Sequence, residues 1–297
     1  MQCINPVRLF KNLSPLDFPD GLLVPCGKCI ACRISKRREW SIRMLHELED
    51  HDKSVFVTLT YSDDYLPQNE SLKKEDLQKF MKRLRKSLEK SERKIRYFAC
   101  GEYGDKTERP HYHLIIFGPG LKPDDKELVM KAWDKCEWTN PHIRNKSFGL
   151  VEPESIAYVA GYIDKKLSGD KAQEEYVDKS RIPVFRLCSL GIGRQYCDEQ
   201  AKQITEMLHL THRGIRMSVP RYYIKRLGID PDTLKTHALD RDAELVEKLV
   251  GVYMTSDELY MSGESEMNTY VIERTQDSKA QHERNLTAKV QLKDRRL

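Results

Sequence analysis

No stretch of the 297-residue sequence stays apolar for anything near the roughly 20 residues that a membrane-crossing helix needs, so no membrane role is expected. The N-terminus lacks the charged region, long apolar core and small-residue cleavage site of a secretion signal, which makes a cytoplasm the expected place of action. There is no internal repeat, which excludes a solenoid or propeller. There is also no GxxxxGK[ST] phosphate loop, which excludes a built-in helicase or other P-loop motor.

What is present is a globular composition with uneven charge. Apolar residues make up 39% and charged residues 33%, enough for one substantial core, so one catalytic domain with appendages is expected rather than two independent domains. Net charge is only +5, yet Lys73 to Arg96 holds eleven Lys or Arg against four Asp or Glu. Such a run suits a phosphate backbone and equally the solvated face of a helix, so charge alone decides nothing. Of the eight cysteines, Cys26, Cys29 and Cys32 are tightly clustered, and in a cytoplasmic chain a cluster points to metal before disulfide.

Residues 1–30, rich in Pro, Gly and Cys, read as loop, and the pattern turns helical from Ala31 to Leu48 with Arg33, Lys36, Arg37 and Arg38 on its first turns. Val55 to Tyr61 is dense in β-branched and aromatic residues and predicts a buried strand closed by Ser62-Asp63-Asp64. Leu77, Phe80, Met81, Leu84 and Leu88 recur at helical spacing, with a basic opposite face. Arg96 to Cys100 and His111 to Phe117 read as two strands of a hairpin joined through Gly101 to Pro110. A helix near Asp125 to Cys136, a strand near Phe148 to Val151 and a helix from about Glu154 to Leu167 follow, the last entered through Pro153. Pro183 to Leu190 and Gly214 to Tyr223 are expected strands, Asp198 to Leu210 a helix between them, and the chain from about Thr275 an exposed helix or disordered tail.

The chemistry lies in three places. Alternate residues of a strand share a face, so His111 and His113 point together while Tyr112, Leu114 and Ile116 point away. Two neutral imidazoles with a carboxylate make a mixed N/O site suited to Mg²⁺ or Mn²⁺, and Glu102, at the end of the preceding strand, is placed to supply the carboxylate. The plain alternative is a pair of hydrogen-bonded structural histidines. Tyr158 and Tyr162, four apart on a helix, stack their hydroxyls on one face, with Lys165 and Lys166 a turn later. A phenol so assisted can attack a DNA phosphodiester, whereas a tyrosine pair on its own reads equally as core packing. Third, Cys26, Cys29 and Cys32 have ligand-like spacing, and with Cys3 they would make a structural Zn²⁺ site, or else stay reduced and packed. Cys100, Cys136, Cys188 and Cys197 lack that spacing and are expected to pack.

These segments together resemble a known family. Arg109-Pro110-His111-Tyr112-His113-Leu114-Ile115-Ile116-Phe117 is similar to the His-hydrophobic-His motif of the HUH endonuclease superfamily. Tyr158-Val159-Ala160-Gly161-Tyr162-Ile163-Asp164-Lys165-Lys166 resembles its two-tyrosine motif, Val57-Thr58-Leu59-Thr60-Tyr61 its first, structural motif, and Gly101-Glu102-Tyr103-Gly104 the place of the third metal ligand. Within the superfamily the likeness is to the replication initiators of Microviridae, the gokushoviruses above all. It is supported by Val24-Pro25-Cys26-Gly27-Lys28-Cys29, Arg38-Glu39-Trp40, Tyr97 to Gly104 and Ser189-Leu190-Gly191-Ile192-Gly193. One departure is that some two-tyrosine initiators carry a lysine before the second tyrosine, where this chain has Gly161.

The resemblance implies an α+β fold with a central, mainly antiparallel sheet flanked by helices. It divides the chain into an N-terminal cysteine-containing extension with its basic helix (1–50), a catalytic domain (51–225) and a charged, partly helical or disordered tail (226–297). It implies a phage rolling-circle initiator in the cytoplasm of a bacterial host. Such a protein nicks single-stranded origin DNA through a 5′-phosphotyrosine, leaves extension to a host DNA polymerase and unwinding to a host helicase, and joins the finished strand. Lys165 favours Tyr162 as first nucleophile. The alternative from another class is a zinc-containing DNA-binding regulator with an inactive fold of the same kind.

Overall fold

The computed structural model describes Cys3 and residues 6–9, 22–89, 92–120, 122–162 and 172–230, with Thr233, Leu234, His237, Gln281 and Arg284. In chain order the elements are β1 (Val7–Leu9), β2 (Leu22–Val24), α1 (Ile30–Glu49), β3 (Ser54–Thr60), α2 (Lys74–Glu89), β4 (Arg96–Tyr103) and β5 (Pro110–Phe117). Then come α3 (Pro123–Ala132), α4 (Pro141–Lys146), β6 (Phe148–Gly149), α5 (Pro153–Gly161), β7 (Phe185–Cys188), α6 (Arg194–Glu199), α7 (Ala201–Met207), β8 (His209–His212), β9 (Ile215–Ser218) and α8 (Arg221–Leu227). They fall into two compact units, one of Cys32–Ile204 with Val219–Tyr223 and one of Met1–Ala31, Thr205–Ser218 and Ile224–Leu297. All but the first turn of the basic helix α1 therefore belongs to the same unit as the sheet.

That sheet has five strands in the order β6-β3-β5-β4-β7, each antiparallel to its neighbours. The period of two sorts its residues. Val55, Val57 and Leu59, Tyr97 and Ala99, and Tyr112, Leu114 and Ile116 meet Leu77, Phe80, Met81, Leu84 and Leu88 of α2, Val129 and Ala132 of α3, and Trp133. On the other face Phe98, Cys100, Ile115 and Phe117 meet Met44 of α1, Ile156, Val159 and Ala160 of α5, and Ile192. The result is the expected α+β architecture of a mainly antiparallel sheet flanked by helices. Trp133 anchors the first core, donating its indole N–H to the Thr60 carbonyl at 2.8 Å. Tyr61 bonds both Tyr112 Oη at 2.8 Å and Asp76 Oδ2 at 3.0 Å, which satisfies two buried phenols.

The segment Ser189 to Gly193 is explained by α1. The buried Glu47 accepts the Gly193 N–H at 2.7 Å and a close pair of contacts from Arg96, while Arg43 Nε donates to the Ile192 carbonyl at 3.0 Å. Gly193 has φ +73°, and a Cβ there would lie 2.3 Å from Tyr223 Oη and 2.8 Å from the Arg43 carbonyl, so glycine is required.

Several elements depart from the sequence reading. β1 and β2 pair antiparallel within a stretch expected to be loop. The helix expected to reach Cys136 ends at Ala132, and the strand expected from Phe148 to Val151 keeps only two paired residues, Phe148 and Gly149. β8 replaces the end of the helix expected over Asp198 to Leu210. The strand expected from Gly214 to Tyr223 stops at Ser218, and α8 begins after Pro220, whose ring has no N–H for a ladder and whose φ suits a helix start. The tail expected from Thr275 lies outside the described residues, apart from Gln281 and Arg284. Among the described residues no helix is long and apolar enough to cross a membrane.

Candidate metal centre and tyrosine helix

Register brings the sequence-predicted ligands together. In the β4/β5 ladder Glu102 stands opposite His111 and Cys100 opposite His113, and in the β3/β5 ladder Thr58 stands opposite His113. Glu102, His111 and His113 therefore share the sheet face that α1 and α5 cover, and their ligand atoms lie within 4.8 Å of one another. His111 Nε2 is 2.7 Å and His113 Nε2 3.3 Å from the same carboxylate oxygen, Glu102 Oε1. Both ring nitrogens thus converge on one acid.

The outward nitrogens are held as well. His111 Nδ1 lies 3.1 Å from the Arg109 carbonyl, which can only accept, so Nδ1 carries the proton and Nε2 presents its lone pair to the cluster. A lone pair 2.7 Å from a carboxylate oxygen needs positive charge between the two, supplied by a second proton or a bound cation. His113 Nδ1 is fixed by Thr58 Oγ1 at 3.0 Å. Burial works to raise the Glu102 pKa, but hydrogen bonds from His111 and then His113 outweigh it and hold the group at about 2. Two imidazoles with oriented back sides and one ionised carboxylate fit a divalent metal ion.

α5 starts on a reciprocal cap: Ser155 Oγ accepts the Glu152 N–H at 2.8 Å, the Glu152 side chain accepts from the Ser155 backbone, and Pro153 fills the first turn. Its register sets both tyrosines against His113. Tyr162 stacks on the imidazole with 5.0 Å between centroids and 11° between planes, and Tyr158 meets it edge-on at 5.3 Å. The two phenol rings are 4.8 Å apart. Their exposures differ, 36% for Tyr158 against 6% for Tyr162. Burial, then the hydrogen bond with Tyr158 and the charge of Glu102, push the Tyr162 hydroxyl far above its ordinary pKa.

Lys165 and Lys166 lie outside the described residues. In the other unit Cys3 Sγ and Cys29 Sγ are 3.7 Å apart, and the sulfurs of Cys3, Cys26 and Cys29 lie within 4.8 Å of one another. Backbone N–H groups aim at two of these sulfurs, Cys26 N at Cys3 Sγ (3.2 Å) and Cys29 N at Cys26 Sγ (3.3 Å). The N–H groups of Cys29 and Lys28 lower the pKa of the Cys26 thiol. Cys32 follows Cys29 by three residues, in the first turn of α1. Cys100 and Cys197 are buried, and Cys136 and Cys188 half-buried.

Of the basic segments, α1 borders the metal-centre face, whereas α2 covers the opposite face of the sheet and turns Lys79, Lys82, Arg85 and Lys86 to solvent. The solvated-face reading therefore applies to α2. Trp40, weighed from sequence as a base-stacking residue, is instead sandwiched by Arg43 at 4.2 Å and Arg186 at 4.1 Å, and Trp133 is core. The sequence reading missed Thr58 as the partner of His113 and Phe56, 5.7 Å from the same ring. The signal was there in the alternation Phe56, Thr58, Thr60, but it needs the β3/β5 register to be read.

Comparison with known proteins gives the following. The family model of the replication-associated protein ORF2 matches residues 54–167, the span from β3 through the tyrosine helix. Replication-associated protein VP4 of Bdellovibrio phage phiMH2K is 32% identical over 253 residues, 75% of this chain and 76% of that protein. Replication-associated protein ORF2 of Spiroplasma virus 4 is 35% identical over 221 residues, 69% of this chain and 67% of that protein. Among solved structures, the N-terminal nuclease domain of minute virus of mice non-structural protein 1, described with Zn²⁺ coordination in its active-site pocket, is 10% identical. The match covers 54% of this chain and 81% of that one at a TM-score of 0.21, too slight a likeness to carry an argument.

Proposed function

Since this chain belongs to the replication-associated proteins of Microviridae-type phages, we propose that it starts rolling-circle replication by nicking single-stranded origin DNA with a tyrosine nucleophile. The observation that carries the reading is the contact of both phenol rings of α5 with His113 of the Glu102–His111–His113 cluster. Glu102, His111 and His113 would hold Mg²⁺ or Mn²⁺, which when bound polarises the scissile phosphate as a Lewis acid.

The chain's own groups do the rest. Tyr158, the more exposed phenol, attacks phosphorus first, in place of the lysine-based preference for Tyr162. Its oxygen bonds to phosphorus, the bond from phosphorus to the 3′-oxygen breaks, the phenol loses its proton and the departing 3′-oxygen gains one. The free 3′-hydroxyl primes a host DNA polymerase, with a host helicase to unwind, in the bacterial cytoplasm. Tyr162 makes the second attack at the regenerated origin. The released 3′-hydroxyl then displaces Tyr158 from its phosphate, joining the strand and returning a proton to the phenol. Lys165 and Lys166 are assigned to stabilising phosphate or phenolate charge. Cys3, Cys26 and Cys29 are proposed as thiolate ligands of a structural Zn²⁺, with Cys32 the next cysteine along the chain.

The test is to incubate the protein with labelled single-stranded phage-origin DNA and Mn²⁺ or Mg²⁺ and to look for an adduct that survives denaturation. An adduct that requires metal and is absent from the Tyr158→Phe/Tyr162→Phe double variant is expected. Tight DNA binding without any adduct would favour the inactive DNA-binding regulator instead.

A further inference from the structure

Gly161 stands in the last turn of α5, where glycine is disfavoured relative to alanine, and its φ is not positive, so backbone conformation does not demand it. Space does. A Cβ at Gly161 would sit 3.3 Å from Arg37 Cζ, 3.5 Å from Nη1 and 3.6 Å from Nε, so the guanidinium of α1 is seated flat against the helix backbone where a side chain would begin. Residues three and four apart share a helix face, which puts Tyr158, Gly161 and Tyr162 on one ridge. The guanidinium therefore adjoins the ridge that carries both nucleophile candidates.

Arg37 also differs from its basic neighbours. Arg43 is committed to the Ile192 carbonyl and the Trp40 ring, Arg186 to the other side of that ring, and Arg96 to Glu47. Arg37 is half-buried, and among the described residues no carboxylate or carbonyl engages it. The centre beside it already holds one ionised carboxylate, so an incoming phosphodiester needs added positive charge, and a planar guanidinium matches two phosphate oxygens at once.

We infer that Arg37 is the phosphate clamp of the tyrosine helix, with Gly161 the notch that admits its guanidinium. Arg37 takes the non-bridging oxygens of the phosphate that the tyrosine attacks, which holds phosphorus in line with the phenol and offsets the charge that builds up. This rests on the tyrosine chemistry proposed above.

The experiment moves the cation from one helix to the other. Arg37→Ala should slow single-turnover attachment to single-stranded origin DNA by about 10²-fold, the scale on which loss of one preorganised charge donor is felt, with the melting temperature and Mn²⁺ affinity unchanged. Gly161→Lys alone should also slow it, because the new side chain meets Arg37. In the Arg37→Ala background Gly161→Lys should restore at least about tenfold, a part of the lost donor's contribution, while Gly161→Ala, which fills the notch without charge, should restore nothing. A wild-type rate in Arg37→Ala, or equal rescue by alanine, overturns the inference. A parallel reading is the slope of log affinity against log salt, which one lost single-strand phosphate contact lowers by about 0.7. If wild-type protein forms no adduct, the tyrosine reading fails while an unchanged slope in Arg37→Ala still sinks the clamp on its own.

Discussion

The ring of Tyr162 lies parallel to that of His113, 5.0 Å away, so the C-terminal end of α5 rests directly on one of the three residues of the candidate metal centre. The other tyrosine touches the same imidazole by its edge and reaches the surface. One histidine thus sets the position of both phenols, and that asymmetry separates their roles.

Tyr158→Phe should abolish attachment to single-stranded origin DNA in a single turnover. Tyr162→Phe should still attach once but fail to release a circular product. Denaturing gels of the adduct together with a circle-formation assay read both steps, and the reverse pattern would reassign the first attack to the buried phenol.

The Thr58 hydroxyl fixes the back of His113, so Thr58→Val should weaken Mn²⁺ binding by about 10- to 100-fold, the usual cost of losing a group that orients a ligand. His111→Ala should weaken it further. Calorimetric titration checks this, and equal affinity in wild type and Thr58→Val would show that packing alone orients the ring.

Gly193→Ala forces a Cβ into Tyr223 Oη and the Arg43 carbonyl at a left-handed φ. It should destabilise the sheet-bearing unit by more than about 1 kcal/mol, seen as a lower urea midpoint. Full retention of the midpoint would mean the turn relaxes freely.

Glu47 should make stability acid-sensitive. Burial works to raise its pKa, but hydrogen bonds from His51, the Gly193 N–H and Arg96 prevail, and the folded value falls below the ordinary 4.5. The sign follows from linkage: the contribution is complete above 4.5 and is lost as pH falls through the lower, folded value. Glu47→Gln should be less stable near neutrality and show a flatter acid limb in urea unfolding followed against pH. An acid limb as steep as that of wild type would assign the acid loss to other carboxylates.

Zinc should accompany the purified protein at about one ion per chain, and Cys26→Ser or Cys29→Ser should lower that content and the melting temperature together. Elemental analysis decides it. A metal-free protein with an unchanged melting temperature would leave the thiols as packing residues.

Much of this was legible in the residues. The two-residue period of Val55 to Thr60 and His111 to Phe117 yields paired strands and puts both histidines on one face, because side-chain direction in a strand depends on nothing beyond the pleat. The four-residue spacing of Tyr158 and Tyr162 fixes a shared helix face in the same local way. β1 was not legible: all three of its side chains are exposed, so no apolar alternation marked it. Nor was the fate of the basic run on α2, since local charge does not say which face of a sheet a helix will cover.

The sequence by itself therefore determined the element types, the His-x-His pair and the tyrosine pair, all of which follow from periodicity within one segment. Tertiary structure alone decided that Glu102 stands opposite His111, that Thr58 backs His113, that one phenol is buried and the other exposed, and that Arg37 fills the notch at Gly161. Those relations depend on strand register and on the close approach of helices far apart in the chain. Both are set by how the whole core packs, and no local pattern encodes them.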